Sequence, residues 1–196
     1  MKIAVTGGLG SGKSTVSKIL ASSLECVRID TDELCRNQLQ PGNVGMERLK
    51  EVFGYRFINP DGTLNRQALR RSTFQDHAVK SQLETILHPV VREIVNDRWD
   101  RRKDGEAHLV VEVPLLYEVQ WQSDFDQCIV VYVPEHLVYQ RVVRRSALDM
   151  EEIRRIINAQ MPIEEKLAYT PFIVDNSTTL ASTVLQTAYL VRTLLR

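Results

Sequence analysis

The chain has 196 residues, 43% of them hydrophobic, enough for one well-cored domain carrying a smaller insertion. Lys plus Arg and Asp plus Glu both number 25, so the net charge is zero, which argues against a protein whose work is to grip duplex nucleic acid. No apolar run reaches the length of a signal peptide or membrane span, and Cys26, Cys35 and Cys128 lack metal-ligand spacing and suit a reducing cytoplasm as small apolar residues.

In chain order, KIAVT is a β-rich run that ends in a glycine loop, TGGLGSGKST (Thr6–Thr15). STVSKILASSL follows with Val16, Ile19, Leu20 and Leu24 at helical spacing. CVRID reads as a second strand. A long stretch without a convincing strand comes next, with helices expected around FGYRFINPDGTLNRQ and over HAVKSQLETILHPVVREIVNDRWDRR. Pro89 is expected to kink or divide the latter helix. Asp61-Gly62 signals a turn and Asn65 a helix cap. LVVEV (Leu109–Val113) and CIVVYV (Cys128–Val133) are continuous apolar runs, as in parallel strands buried on both faces, and FIVD (Phe172–Asp175) is a fifth strand. Strands alternating with helices predict an α/β fold with a five-stranded parallel sheet flanked by helices. The charged stretch Glu151–Lys166 is helical and suits a lid that excludes water.

Gly7-x-x-x-x-Gly12-Lys13-Ser14 matches the phosphate-binding P-loop, with a strand before it and a helix after it. The glycines let backbone N–H groups turn around an anion, and the helix N-terminus adds partial positive charge. Lys13 is expected at the β- and γ-phosphates, Ser14 at Mg²⁺ and Thr15 at the α-phosphate of a nucleotide, with ATP as the expected one. A guanine-reading Asn-Lys-x-Asp is absent from the sequence, and a helicase or motor would be longer.

A kinase also needs an acid near the acceptor and arginines for the transferring phosphoryl. Asp30 and Asp32 end the second strand, at the carboxyl edge where α/β ligands bind. By spacing alone, Asp32 is as good a helix cap as a base. Arg141, Arg144 and Arg145, at i, i+3 and i+4, share one helix face, which is either a phosphate clamp or a solvated basic surface. Glu112, late in the third strand, is either a water-mediated Mg²⁺ ligand or a surface residue at the sheet edge.

Taken in order, TGGLGSGKST, IDTDELCR, Phe53-Gly54, DGTLNRQAL, His88-Pro89, VPLLYE, RVVRR, AQMPIEEK and IVDNS make the chain resemble the dephospho-coenzyme A kinases along nearly its whole length. The resemblance implies a nucleotide-kinase-like P-loop fold in a single domain. Its core would span 1–32, 107–135 and 170–196, with a helical substrate region over about 33–106 and a lid over about 136–169. It implies transfer of the γ-phosphoryl of ATP to the ribose 3′-hydroxyl of dephospho-CoA, with Mg²⁺, in the cytoplasm. No nucleic acid or membrane partner is implied, and the expected state is a monomer or weak homo-oligomer.

By the same resemblance Asp32, Lys13 and Arg141 are catalytic. Gly8, Leu9, Gly10, Ser11, Gly12, Lys13, Ser14, Thr15, Arg145 and Asn176 bind ATP, with Ser14 on Mg²⁺. Thr6, Asp32, Arg36, Arg66, His88, Pro114, Leu115 and Leu116 hold dephospho-CoA. His88 could equally be a core histidine at a helix end, and Pro114-Leu115-Leu116 ordinary core. The chain departs from the pattern at Ile156, where an arginine often stands four residues before the lid glutamine Gln160, and at Thr170-Pro171, usually Ala-Asp. Two other readings share the motifs: a nucleoside or nucleotide kinase, and a nucleotide-binding module that catalyses little.

Overall fold

Five short strands lie parallel in one sheet: β1 (Lys2–Gly7), β2 (Val27–Asp30), β3 (Leu109–Glu112), β4 (Gln127–Tyr132) and β5 (Ile173–Asp175), in the order β2-β3-β1-β4-β5. The computed structural model describes residues 1–103, 105–145 and 149–195; positions 104, 146–148 and 196, which the expected substrate region, lid and core include, lie outside the described residues. All five expected strands are present, and β1 and β3 are buried along their whole length. That burial explains why their sequences are continuous rather than alternating apolar runs. The chain leaves β1 for β2 on one side and later reaches β4 on the other, so the carboxyl end of β1 lies at the topological switch point. The register sets Asp30 beside Glu112 and Val5 beside Glu112 on the other neighbouring strand.

Two compact units divide the chain, residues 1–30 with 103–196, and residues 31–102. In the first, α1 (Lys13–Ser23) and α9 (Leu180–Leu194) contribute Val16, Leu20, Leu190 and Val191 to a cluster with Ile3, Val5, Val110, Ile129 and Val131 from the sheet. α6 (Glu135–Arg145) and α7 (Met150–Asn158) share a smaller cluster of Val138, Val142 and Ile153. The short α8 (Ile163–Leu167) returns the chain to β5. Among the described residues, the stretch expected as a lid holds the three helices α6, α7 and α8. Thr170, at one departure from the family pattern, stitches this return to the sheet: its hydroxyl donates to the Cys128 carbonyl at 2.7 Å and accepts from the Phe172 N–H at 3.1 Å.

The second unit is helical: α2 (Thr31–Gln38), α3 (Val44–Phe53), α4 (Arg66–Gln75) and α5 (His77–Asp100). Its core is Leu39, Leu49, Phe57, Leu69, Val79, Ile86 and Leu87. Asn65 caps α4, accepting from the Ala68 N–H at 2.9 Å. Asp61 and Gly62 form the expected turn, which closes an isolated antiparallel bridge between Ile58 and Leu64. Pro89 does not divide its helix: α5 runs unbroken for 24 residues. Interior proline costs a helix about 3 kcal/mol. The burial of Ile86, Leu87, Val90 and Val91 on either side of Pro89 outweighs that cost.

Candidate active site

β1 delivers the glycine loop and α1 begins at Lys13, so the loop joins the central strand to a helix N-terminus. Two glycines are required by space. A Cβ on Gly7 would lie 2.5 Å from the Val131 carbonyl oxygen. Gly12 has φ +89°, and a Cβ there would lie 2.1 Å from Asn176 Nδ2. α1 has no acidic residue in its first turn and no side-chain cap at Gly12. Its N-terminus thus keeps its positive end for an anion. Lys13 folds over the loop, its Nζ donating to the carbonyls of Gly7 at 3.1 Å and Gly8 at 2.9 Å. Ser11 Oγ is buried with no hydrogen-bond partner among the described residues. Thr15 is exposed.

Glu112 is not a surface residue of the sheet edge; it is 4% exposed. Ser14 Oγ donates to its Oε1 at 2.7 Å, and Ser17 Oγ and Arg28 Nη2 donate to its Oε2 at 2.9 and 2.5 Å. Arg28 also meets Asp30 Oδ2 at 3.1 Å and, through Nε, Ser17 Oγ at 2.7 Å. Burial works against the Arg28 charge, but bonding and attraction to Glu112 and then Asp30 hold the guanidinium above its ordinary pKa. A hydroxyl and a carboxylate oxygen side by side, both hard donors, fit a magnesium ion that arrives with nucleotide phosphates.

Asn176 ties α6 and α9 to the loop. Its Nδ2 donates to the Ser11 carbonyl, its Oδ1 accepts from Thr183 Oγ1, and its own carbonyl accepts from Arg141 Nη2, each at 2.7 Å. Arg145, one turn beyond Arg141, is exposed, as is Arg144. Just after α7, Gln160 Oε1 accepts from the Leu9 N–H at 2.9 Å. A cavity of about 360 Å³ opens between loop residues Gly8, Leu9 and Ser11 and residues Ile157, Gln160 and Met161 at the end of α7 and beyond it. Next in the chain, the Met161 N–H donates to Glu118 Oε1 at 2.9 Å, which also receives the fully buried Lys166 ammonium at 2.8 Å. Lys166 donates as well to the Pro114 carbonyl at 3.0 Å, which Thr6 Oγ1 approaches at 3.3 Å. Pro114 and Leu115 are half-buried, and Leu116 is fully buried core.

The remaining candidates lie in the helical unit. α2 begins at Thr31, so Asp32 sits inside the first turn rather than at the cap, with Arg36 one turn on; both are exposed. Arg66 opens α4 and is exposed. His88 is half-buried within α5, and burial lowers its pKa below the ordinary imidazole value, with Glu84 opposing.

Sequence reasoning missed Ser17, Arg28, Lys166 and Thr183. Ser17 had a signal, one turn after Ser14 on the same helix face. Arg28 had one too, two residues before Asp30 and so on the same face of its strand. Lys166 and Thr183 meet partners far away in sequence and carried no local sign.

A sequence model of the dephospho-CoA kinase family matches residues 1–182. The chain is similar to the dephospho-CoA kinase of Desulfotalea psychrophila, 41% identical over 191 residues, covering 97% of this chain and 96% of that protein. Among solved structures, a protein of Thermus thermophilus superposes with a TM-score of 0.85 at 31% identity, over 100% of this chain and 98% of the other. The dephospho-CoA kinase of Campylobacter jejuni superposes with a TM-score of 0.66 at 26% identity, over 99% and 98%.

Proposed function

This chain belongs to the dephospho-CoA kinase family, and we propose that the P-loop site serves transfer of the γ-phosphoryl of ATP to the ribose 3′-hydroxyl of dephospho-CoA. The enzyme is a phosphotransferase of coenzyme A synthesis with ATP as co-substrate. A bond forms between the 3′-oxygen and the γ-phosphorus while the bond to the β–γ bridging oxygen breaks, and ADP leaves. The 3′-hydroxyl proton passes to Asp32, whose main work is to orient the hydroxyl, because phosphoryl transfer is loose and the proton leaves late.

Gly8 to Thr15 wrap the phosphates with backbone N–H groups, and Lys13 swings from its carbonyl partners to the β- and γ-phosphates. Ser14, with Glu112 beside it, would hold Mg²⁺, which supplies charge neutralisation on the phosphate oxygens. Arg141 and Arg145 face the phosphates from the lid side, and Asn176 lies on the adenine side. Thr6, Arg36, Arg66, His88 and the Pro114–Leu116 segment take dephospho-CoA. The hydrogen bond between Ser14 and Glu112 carries the assignment of the nucleotide site, because it joins the loop's hydroxyl to a buried carboxylate. No helix among the described residues is long and apolar enough to cross a membrane. We assign the reaction to the cytoplasm and the protein to a monomer or weak homo-oligomer.

The test is mass spectrometry of dephospho-CoA incubated with the protein and Mg-ATP, beside AMP, adenosine and a nucleoside mixture. A gain of one phosphoryl on dephospho-CoA alone is expected. Transfer to nucleosides instead would move the protein to a nucleoside kinase. ATP binding without transfer to any acceptor would make it a nucleotide-binding module. Lys13→Ala and Asp32→Asn are each expected to cut turnover at least about a hundredfold with unchanged melting. Normal turnover in Asp32→Asn removes Asp32 from the mechanism.

A further inference from the structure

Arg28 has no part in the roles assigned above, yet it makes three polar contacts behind the phosphate loop. A carboxylate on a strand end is free to rotate and present either oxygen. Here Oε2 of Glu112 is held by two donors, Ser17 Oγ and Arg28 Nη2, which leaves Oε1 against Ser14 Oγ. The same guanidinium bonds Asp30, the register partner of Glu112. The carboxylates of Asp30 and Glu112 therefore share the Arg28 cation, which offsets part of their combined negative charge. Divalent cations are held by oxygen donors in proportion to their charge, so this arrangement keeps the Ser14–Glu112 pair weak as an isolated metal site.

We propose that Arg28 is a positioning residue that makes cation binding at Ser14 and Glu112 depend on nucleotide. It fixes the outer oxygen of Glu112 and offsets part of the carboxylate charge, so the pair retains a divalent cation only when phosphate oxygens complete its shell. The metal then enters and leaves with the nucleotide. The inference rests on the reading of Glu112 and Ser14 as the protein side of the magnesium site.

The test uses Mn²⁺ as the probe, with the free ion followed by electron paramagnetic resonance, with and without ADP. The full-length wild type is compared with Arg28→Met, Arg28→Gln and Glu112→Gln, each checked by thermal melting. Arg28→Gln removes the charge and, ending where the Arg28 Nε stands, keeps an N–H donor for Ser17 Oγ, so it carries the test if Arg28→Met does not fold. The wild type is expected to bind Mn²⁺ weakly without ADP. Every folded Arg28 variant is expected to bind it at least about tenfold more tightly under that condition. Unchanged or weaker nucleotide-free binding in a folded variant overturns the proposal. Glu112→Gln separates the two readings. If it leaves Mn²⁺ affinity of the ADP complex unchanged, the magnesium assignment fails. If it weakens that complex while the Arg28 series stays flat, only the role of Arg28 fails.

Discussion

The Lys166 ammonium, with no exposed surface, lies 2.8 Å from Glu118 Oε1 and joins α8 to the segment after β3. Glu118 retains some exposure, so the two partners are not equivalent. Glu118→Ala leaves an ammonium buried with only the Pro114 carbonyl for company, and is expected to cost about 3–5 kcal/mol. Lys166→Met leaves a carboxylate on a side chain that keeps some exposure, with the Met161 N–H still on Oε1, although Oε2 is buried without a hydrogen-bond partner among the described residues, and is expected to cost less. The double variant Lys166→Met/Glu118→Leu should recover part of the loss. Urea unfolding of the four proteins measures all three numbers. Equal costs for the two single variants would contradict the asymmetry.

Gly12→Ala places a methyl group where Asn176 Nδ2 stands and forces an L-residue to φ +89°. The Asn176 side chain cannot simply swing away, because it bonds both the Ser11 carbonyl and Thr183. A loss of more than about 1 kcal/mol in stability is expected, with ATP affinity lost beyond that. Calorimetric melting and nucleotide titration read the two effects separately.

His88 gives the helical unit a pH dependence. Burial lowers its pKa in the folded protein below the ordinary 6.5, so the unfolded chain takes up the proton first as pH falls. Its contribution to stability is complete above pH 6.5 and is lost as pH falls from there through the folded value. The urea midpoint is expected to drop between pH 7.5 and 5.5 by more in the wild type than in His88→Gln. A larger drop in the variant would reverse the sign and contradict the burial argument.

Burial pushes the Cys128 thiol up to about 11, against a smaller opposing effect of Tyr117. At pH 8 only roughly one thiol in a thousand is thiolate, so alkylation should run about a hundredfold slower than at a model thiol. Iodoacetamide labelling followed by peptide mapping gives the rate. Labelling of Cys128 at the model rate at pH 8 would mean that the thiol opens to solvent.

The sheet was legible because β3 and β4 are nearly continuous apolar runs and the other strands are short β-rich runs bounded by turn or cap residues. The P-loop was legible because its chemistry is local: glycines, lysine and serine within one turn of backbone. The division offered as one outcome at Pro89 did not occur, because a helix-breaking residue is a local signal, whereas the apolar burial that keeps α5 continuous comes from elements far away in sequence. The surroundings of Glu112 were only half readable. Its position at a strand end suggested a site, but the choice between buried ligand and surface residue depended on Arg28 and Ser17, which reach it across β2 and α1. The same holds for Asn176, whose neighbours Ser11, Arg141 and Thr183 come from three separate stretches.

The Leu39–Leu87 cluster of the helical unit and the sheet cluster around Ile3, Val16 and Val131 have no residue in common. A lineage can therefore retune one core without retuning the other. A substitution in the Leu39–Leu87 cluster changes no side chain of the sheet cluster, and the reverse holds as well.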